Sequence, residues 1–142
     1  MYMYIPRKDK LLMSVYQQSS CDLFKAMNSV NLFTSLYIFY KHGFLTALPH
    51  SMVVVTSYFF WRNTTNLILM TMDYSAVGIT ICFTYYNSFL QQKEGVITPL
   101  LMCVLYTYIL SMHFKNKNED YCIYFHSLTY MIGNIAIVYT FT

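Results

Sequence analysis

Charge is what this sequence has least of. Nine basic and six acidic side chains in 142 residues make 11% charged, against about 25% in an average soluble domain. With 56% hydrophobic residues and a mean hydropathy of +0.38, that scarcity excludes an ordinary soluble domain and points to a membrane protein. Paired cysteines are missing too. Cys21, Cys82, Cys103 and Cys122 stand singly, which excludes a disulfide framework and a zinc knuckle and predicts small core residues. There is no glycine-rich phosphate loop, nucleophile elbow or internal repeat, no span built on a Gly-x-x-x-Gly seam, and no strand alternation of the kind a barrel needs. The net charge of +3 comes mostly from the N-terminal cluster "IPRKDK". A membrane surface accounts for it, so the lipid bilayer is the expected partner and nucleic acid is not.

What the sequence has instead is four long apolar blocks. Gly43 to Trp61 and Leu67 to Phe89 are separated by the polar turn Arg62-Asn63-Thr64-Thr65-Asn66; Val96 to Phe114 follows "QQKEG", and Tyr121 to Phe141 follows "KNKNED". Each is close to the roughly 20 residues that a helix needs to cross about 30 Å of hydrocarbon. Lipid cannot satisfy backbone N–H and C=O groups, so blocks of this length predict helices. The fold class is therefore all-α: an antiparallel, integral membrane four-helix bundle over residues 43–142. Pro49 and Pro99 fall near the starts of the first and third spans, where a missing N–H is tolerated. Asn63-Thr64-Thr65 matches the glycosylation pattern but lies too close to the membrane to be a good acceptor.

Residues 1–42 form a different unit. Leu11, Leu12, Val15, Tyr16, Leu23, Phe24 and Met27 recur at helical spacing with Gln17, Gln18, Asp22 and Lys25 between them. This predicts an N-terminal amphipathic interfacial helix with its polar face outward. "VNLFTSLYIFY", closed by Lys41 and His42, is apolar but short for a crossing, and is expected to be half buried or to lengthen the first span. No short apolar region with a small-residue cleavage site follows "IPRKDK", so the spans themselves are expected to drive insertion. With four crossings, Arg7, Lys8, Lys10, Lys25, Lys41 and Lys93 share one side, and Arg62, Lys115 and Lys117 the other. That bias predicts both termini on the cytoplasmic side.

The polar residues inside the spans fall at one level. At a rise of about 1.5 Å per residue, Asp73 lies roughly 9 Å below the surface where Arg62 sits and His126 about 8 Å below it, with Ser57 one turn down and His113 near the surface. His50 belongs to the other half of its span. An ionisable side chain at such depth must face the bundle and find a partner, and His126 is the partner expected for Asp73. A carboxylate–imidazole pair serves metal sites and acid–base relays; it serves equally as an interhelical clamp without chemistry. Thr56, Ser57, Ser75 and Ser127 are expected to bond backbone carbonyls one turn back, and Asn134, beside Gly133, to make a close helix contact.

These residues resemble the motifs of the CREST superfamily of membrane hydrolases, which includes the alkaline ceramidases, the progestin and adiponectin receptors and the Per1-like proteins. That family has a Ser at the end of one span followed by a His about one turn later, an Asp in the next region, and two His one turn apart in a late span. Here "SYFFWRN" offers Ser57, "MTMDYSAVG" Asp73 and "YFHSLTYMIGNI" His126, and "SVNLFTSLYIFY" is similar to the lead-in of small relatives. The resemblance covers about residues 28 to 141. It implies a zinc-dependent amide hydrolase in which Asp73 and His126 belong to the metal site, Asp73 orients or activates water, His126 binds metal or acts as base, and Ser57 supports the oxyanion or metal-bound water.

The chain departs from that pattern at two histidines. Trp61 stands four residues after Ser57 and Tyr130 four after His126, and the family's seven spans compare with four here. Zinc sites normally need three protein ligands, so the resemblance implies a degraded hydrolase-like site with a structural or lipid-binding role. A second class stays open: an accessory subunit of a larger membrane complex, such as a respiratory assembly, that buries aromatic faces against neighbouring subunits. A proton or ion conductor through Asp73 and His126 is a third. A bundle closed around Asp73 favours the first class; a broad aromatic face turned outward favours the second.

Overall fold

A computed structural model describes the backbone of residues 7–62, 67–114 and 119–142, and the side chains of 22–24, 26–62, 68–114 and 120–142. The glycosylation pattern at Asn63 and the side chain of Cys21 lie outside them. The described chain is five helices: α1 (Arg7–His42), α2 (Phe44–Arg62), α3 (Leu67–Leu90), α4 (Glu94–Phe114) and α5 (Glu119–Phe141). Helices α2 to α5 are each long and apolar enough to cross a bilayer, and the fold is that of a multi-pass integral membrane protein.

The first link is a single residue. Gly43 has φ +84°, and its N–H closes the last turn of α1 on the Phe39 carbonyl at 2.9 Å. This left-handed helix cap comes easily only to glycine. The turn reverses the chain, so α1 and α2 run antiparallel, joined by Ser35 to Ser51 at 2.6 Å and by Asn28 Nδ2 donating to the Val54 carbonyl at 2.7 Å. Residues 28–42 therefore do not extend the first span, as they would if the helix ran on through Gly43. They form a helix that doubles back along it. Phe24 stacks on Trp61 near the far end of α2, with ring centroids 4.2 Å apart, so α1 follows α2 along nearly its whole length and starts beyond it.

The remaining connections keep the alternation. Thr80 Oγ1 donates to the Pro49 carbonyl and Thr56 Oγ1 to Asp73, each at 2.9 Å, which runs α2 antiparallel to α3. Helix α3 ends in a left-handed Gln92, with Gln92 N–H on the Phe89 carbonyl and Lys93 N–H on that of Ser88; this is a Schellman stop, made here without glycine. Helix α5 pairs antiparallel with α4 and parallel with α1. Its last carbonyls are bonded from two other elements: Lys93 Nζ donates to Tyr139 and Thr140 at 3.1 and 3.2 Å, and His42 Nε2 donates to Phe141. Lys93 thus sets a cation at a helix C-terminus, where the macrodipole favours it. Helix α3 leans mainly on α2 and packs thinly on α4 and α5.

The bundle is polar within and apolar without. Asn28, Asn31, Thr34 and Ser35 of α1 are buried, while Val30, Leu32, Phe33 and Leu36 of the same helix are exposed. From Phe24 onward α1 is amphipathic, with its polar face turned into the bundle, the arrangement that a lipid surrounding selects. Apolar packing is confined to small clusters, one of Ile38, Ala47, Ile137 and Phe141, the other of Ile97, Leu101 and Ala136. Many exposed aromatics lie near the two ends, Phe39, Tyr40, Phe44, Tyr86 and Phe89 at one and Tyr58, Phe59, Tyr121 and Tyr124 at the other, like the belts at both faces of a bilayer. Phe33 and Tyr106 are exposed at mid-helix. Two cysteines depart from expectation. Cys82 and Cys103 are exposed, because their helical positions face away from the bundle, and a thiol sits comfortably against lipid.

Candidate functional site

All five helices line one cavity of about 600 Å³. Its wall is mainly apolar, with Val53, Phe60, Val77, Ile81, Val104 and Leu105 among the lining residues. Polar groups enter it at two levels.

The upper level lies toward the Arg62 end. Ser57, which is 1% exposed, donates from Oγ to Asp73 Oδ1 at 2.6 Å, and Thr56 donates to the same oxygen at 2.9 Å. Two hydroxyls on adjacent residues of α2 thus hold the α3 carboxylate. Thr56 also bonds the Met52 and Val53 carbonyls, the backbone habit expected of it; Ser57 instead turns across to the acid. Facing them, His126 Nδ1 lies 3.2 Å from Ser111 Oγ, and its ring is boxed by Phe24, Trp61 and Tyr130, whose centroids lie 4.7, 5.2 and 5.3 Å away. Asp73 and His126 share the cavity, each hydrogen-bonded to hydroxyls of neighbouring helices. Asp73 itself is buried, 6% exposed.

The two residues that break the family pattern meet each other. Trp61 Nε1 donates to the Tyr130 hydroxyl at 3.1 Å, bridging α2 and α5 beside His126. Among the described residues no group of three His, Cys, Asp or Glu side chains is placed to hold a metal ion. The groups beside His126 are indole, phenol and hydroxyl, with the Cys122 thiol 3.7 Å from the same Ser111 hydroxyl. One imidazole and one thiol fall short of the three protein ligands that zinc normally takes. His113 is exposed at the end of α4 against Phe114 and supplies no replacement. No protein-family model, no curated protein and no solved structure matches the chain.

The lower level was not legible as part of the site. His50 is buried, 4% exposed, and lines the same cavity with Asn31 and Asn134. Depth counting separates it correctly from Asp73: seven residues along α2 amount to about 10 Å. What counting misses is that the cavity is long enough to reach both. Asn134 makes the close contact expected of it, to Asn31 of α1 at 2.6 Å. Ser111 was overlooked beside His113, although four residues nearer the α4–α5 turn would have put it out of the bundle.

The Ser57–Asp73 contact is open to a double-mutant cycle. Ser57→Ala and Asp73→Ala, unfolded in mixed detergent, are expected to show a coupling of about 1 to 2 kcal/mol, the range for a hydrogen bond to a charged or buried acceptor. Additive single effects would mean that the contact contributes nothing specific.

Proposed function

We propose that the protein binds a lipid-like amphipathic molecule in its central cavity without hydrolysing it, as a degraded relative of the CREST-type membrane hydrolases. The observation that carries this reading is the cavity itself: a largely apolar chamber inside a membrane bundle, with a few polar groups converging on it, is the usual form of a small-molecule site. The thin packing of α3 on α4 supports entry from the side. The Trp61–Tyr130 hydrogen bond supports loss of the metal-dependent step, since the two positions at which the resemblance expects histidine are engaged with one another. Asp73, held by Ser57 and Thr56, then acts as a fixed acceptor for a ligand, and His126 in its aromatic box as wall. The accessory-subunit reading draws less support, because the exposed aromatics are spread over five helices and not collected on one face.

Orientation follows from the course of α1. With residues 24–42 counted as a crossing, Arg7, Lys8, Lys10, Lys25, Arg62, Lys115 and Lys117 belong to one side, and Lys41 and Lys93 to the other. The cationic bias then favours a cytoplasmic N-terminus and a C-terminus on the opposite side, in place of two cytoplasmic termini.

Three outcomes are expected. Native mass spectrometry from mild detergent should find about one retained lipid per chain, and Gly133→Leu, which fills the cavity beside Val104, should release it; a lipid-free native protein would sink the binding reading. Trp61→His combined with Tyr130→His should bind near-stoichiometric zinc that the native chain does not; zinc in the native chain at the same level would restore the hydrolase reading. Tags at the two ends of the chain should differ in accessibility across sealed vesicles, and equal accessibility would return both termini to one side.

A further inference from the structure

The lower level of the cavity holds three of the four buried side-chain atoms that lack a hydrogen-bond partner among the described residues, the fourth being Glu94 Oε2 at the start of α4. His50 Nδ1 and Nε2 and Asn134 Oδ1 are buried without a hydrogen-bond partner. Orphaned polar atoms in a folded interior are rare and costly, each on the order of 1–3 kcal/mol, and they call for an explanation. All three belong to residues that line the cavity.

The chemistry at this place is fixed by two backbone carbonyls, those of Val54 and Tyr130. The Val54 carbonyl can only accept, so the Asn28 amide must turn its Nδ2 toward it, at 2.7 Å. Asn28 Oδ1 then faces Asn31 and takes its Nδ2 at 3.0 Å. Asn31 Oδ1 in turn takes Asn134 Nδ2 at 2.6 Å, and the same nitrogen reaches the Tyr130 carbonyl at 2.8 Å. No amide in this chain can flip without setting donor against donor or acceptor against acceptor. The chain therefore ends in an acceptor. Asn134 Oδ1 requires a donor from the cavity, while the neutral imidazole of His50 offers one N–H and one bare nitrogen. A hydroxyl group meets both requirements at once, donating to Asn134 Oδ1 and accepting from the His50 ring N–H. A methyl ester can accept from the His50 N–H but has no proton for Asn134 Oδ1, and a bare hydrocarbon meets neither requirement.

We propose that His50 and Asn134 form the recognition point for the hydroxyl group of a neutral, hydroxyl-bearing lipid, which enters the cavity head-first and extends its chain toward Trp61. This rests on the reading of the cavity as a lipid site and adds the chemistry that selects among lipids. Burial without water makes such a group selective, since an analogue that lacks the hydroxyl leaves the same protein atoms unpaired.

Trp61, the one tryptophan of the chain, lines the cavity and supplies the readout. The probes are a monoacylglycerol and an alkane of matching chain length, both with bromine at mid-chain, titrated against the full-length protein in detergent, with excess unbrominated probe to define the saturable quenching. The monoacylglycerol is expected to half-saturate at a concentration about tenfold below the alkane, the equivalent of roughly 1.4 kcal/mol. His50→Leu should narrow that difference by weakening the monoacylglycerol alone. Because His50 faces the Asn31 backbone and the Asn134 side chain without closing a well-formed hydrogen bond to either, this variant should stay folded, with a melting temperature close to that of the native chain; Asn134→Asp, which keeps an acceptor, should retain the preference. Equal affinity for the two probes in the native protein, or an unchanged preference in His50→Leu, would overturn the assignment while leaving the cavity a lipid site. Absence of saturable quenching by either probe would overturn both.

Discussion

A hydroxyl, amide or carboxylate buried among lipid-facing helices has no bulk water to return to, and every helix of this bundle is placed by where its polar side chains find partners. Helix α1 is held to α2 through Ser35 and Asn28 and to α5 through Asn31; α2 is held to α3 through Ser57, Thr56 and the Pro49 carbonyl; α4 meets α5 through Thr107 and Thr129 and through Ser111 and His126. Apolar contact cannot choose among such arrangements, because a leucine gains little by leaving lipid for protein. The bonds are individually modest, averaging about 0.6 kcal/mol in membrane bundles. Their number and direction decide which faces turn inward.

The same constraint explains why the cavity is tolerated. A soluble domain with a void of this size loses dispersion contacts and cavity energy that its hydrophobic driving force must offset. Here the polar groups are bonded mostly to the walls, and the void between them is of a size and character that a hydrocarbon chain can fill. Helix α3 bounds the void while leaning chiefly on one neighbour. The carboxylate of Asp73 sits on that helix, so the strongest polar anchor of the site is carried by the wall with the fewest other attachments.

Much of this was legible in the residues. Four apolar blocks of spanning length, divided by charged turns, gave the number and sense of α2 to α5. Counting along the helix rise brought Ser57, Asp73 and His126 to one level, and they do line one cavity. Three things were not legible, each for a physical reason. Hydropathy undervalues a helix whose polar residues face a membrane interior, so the asparagines and hydroxyls of α1 disguised its place in the bundle. Lateral facing is not given by depth, so the hydroxyl partner of Asp73 could not be chosen over His126. Cys82 and Cys103 look like core residues when burial is judged by polarity, and in lipid that rule does not distinguish inside from outside.

The amide chain through Asn28, Asn31 and Asn134 has a sense, like a string of arrows, and the Val54 carbonyl sets which way they point. That oxygen belongs to the backbone, so substituting the valine leaves it in place; only the register of α1 against α2 can remove it. The Tyr130 carbonyl pins the other end of the string in the same sense. Both ends are thus held by backbone oxygens, which no side-chain substitution at Val54 or Tyr130 takes away. In this bundle the sign of recognition at the centre is written in the main chain of two helices.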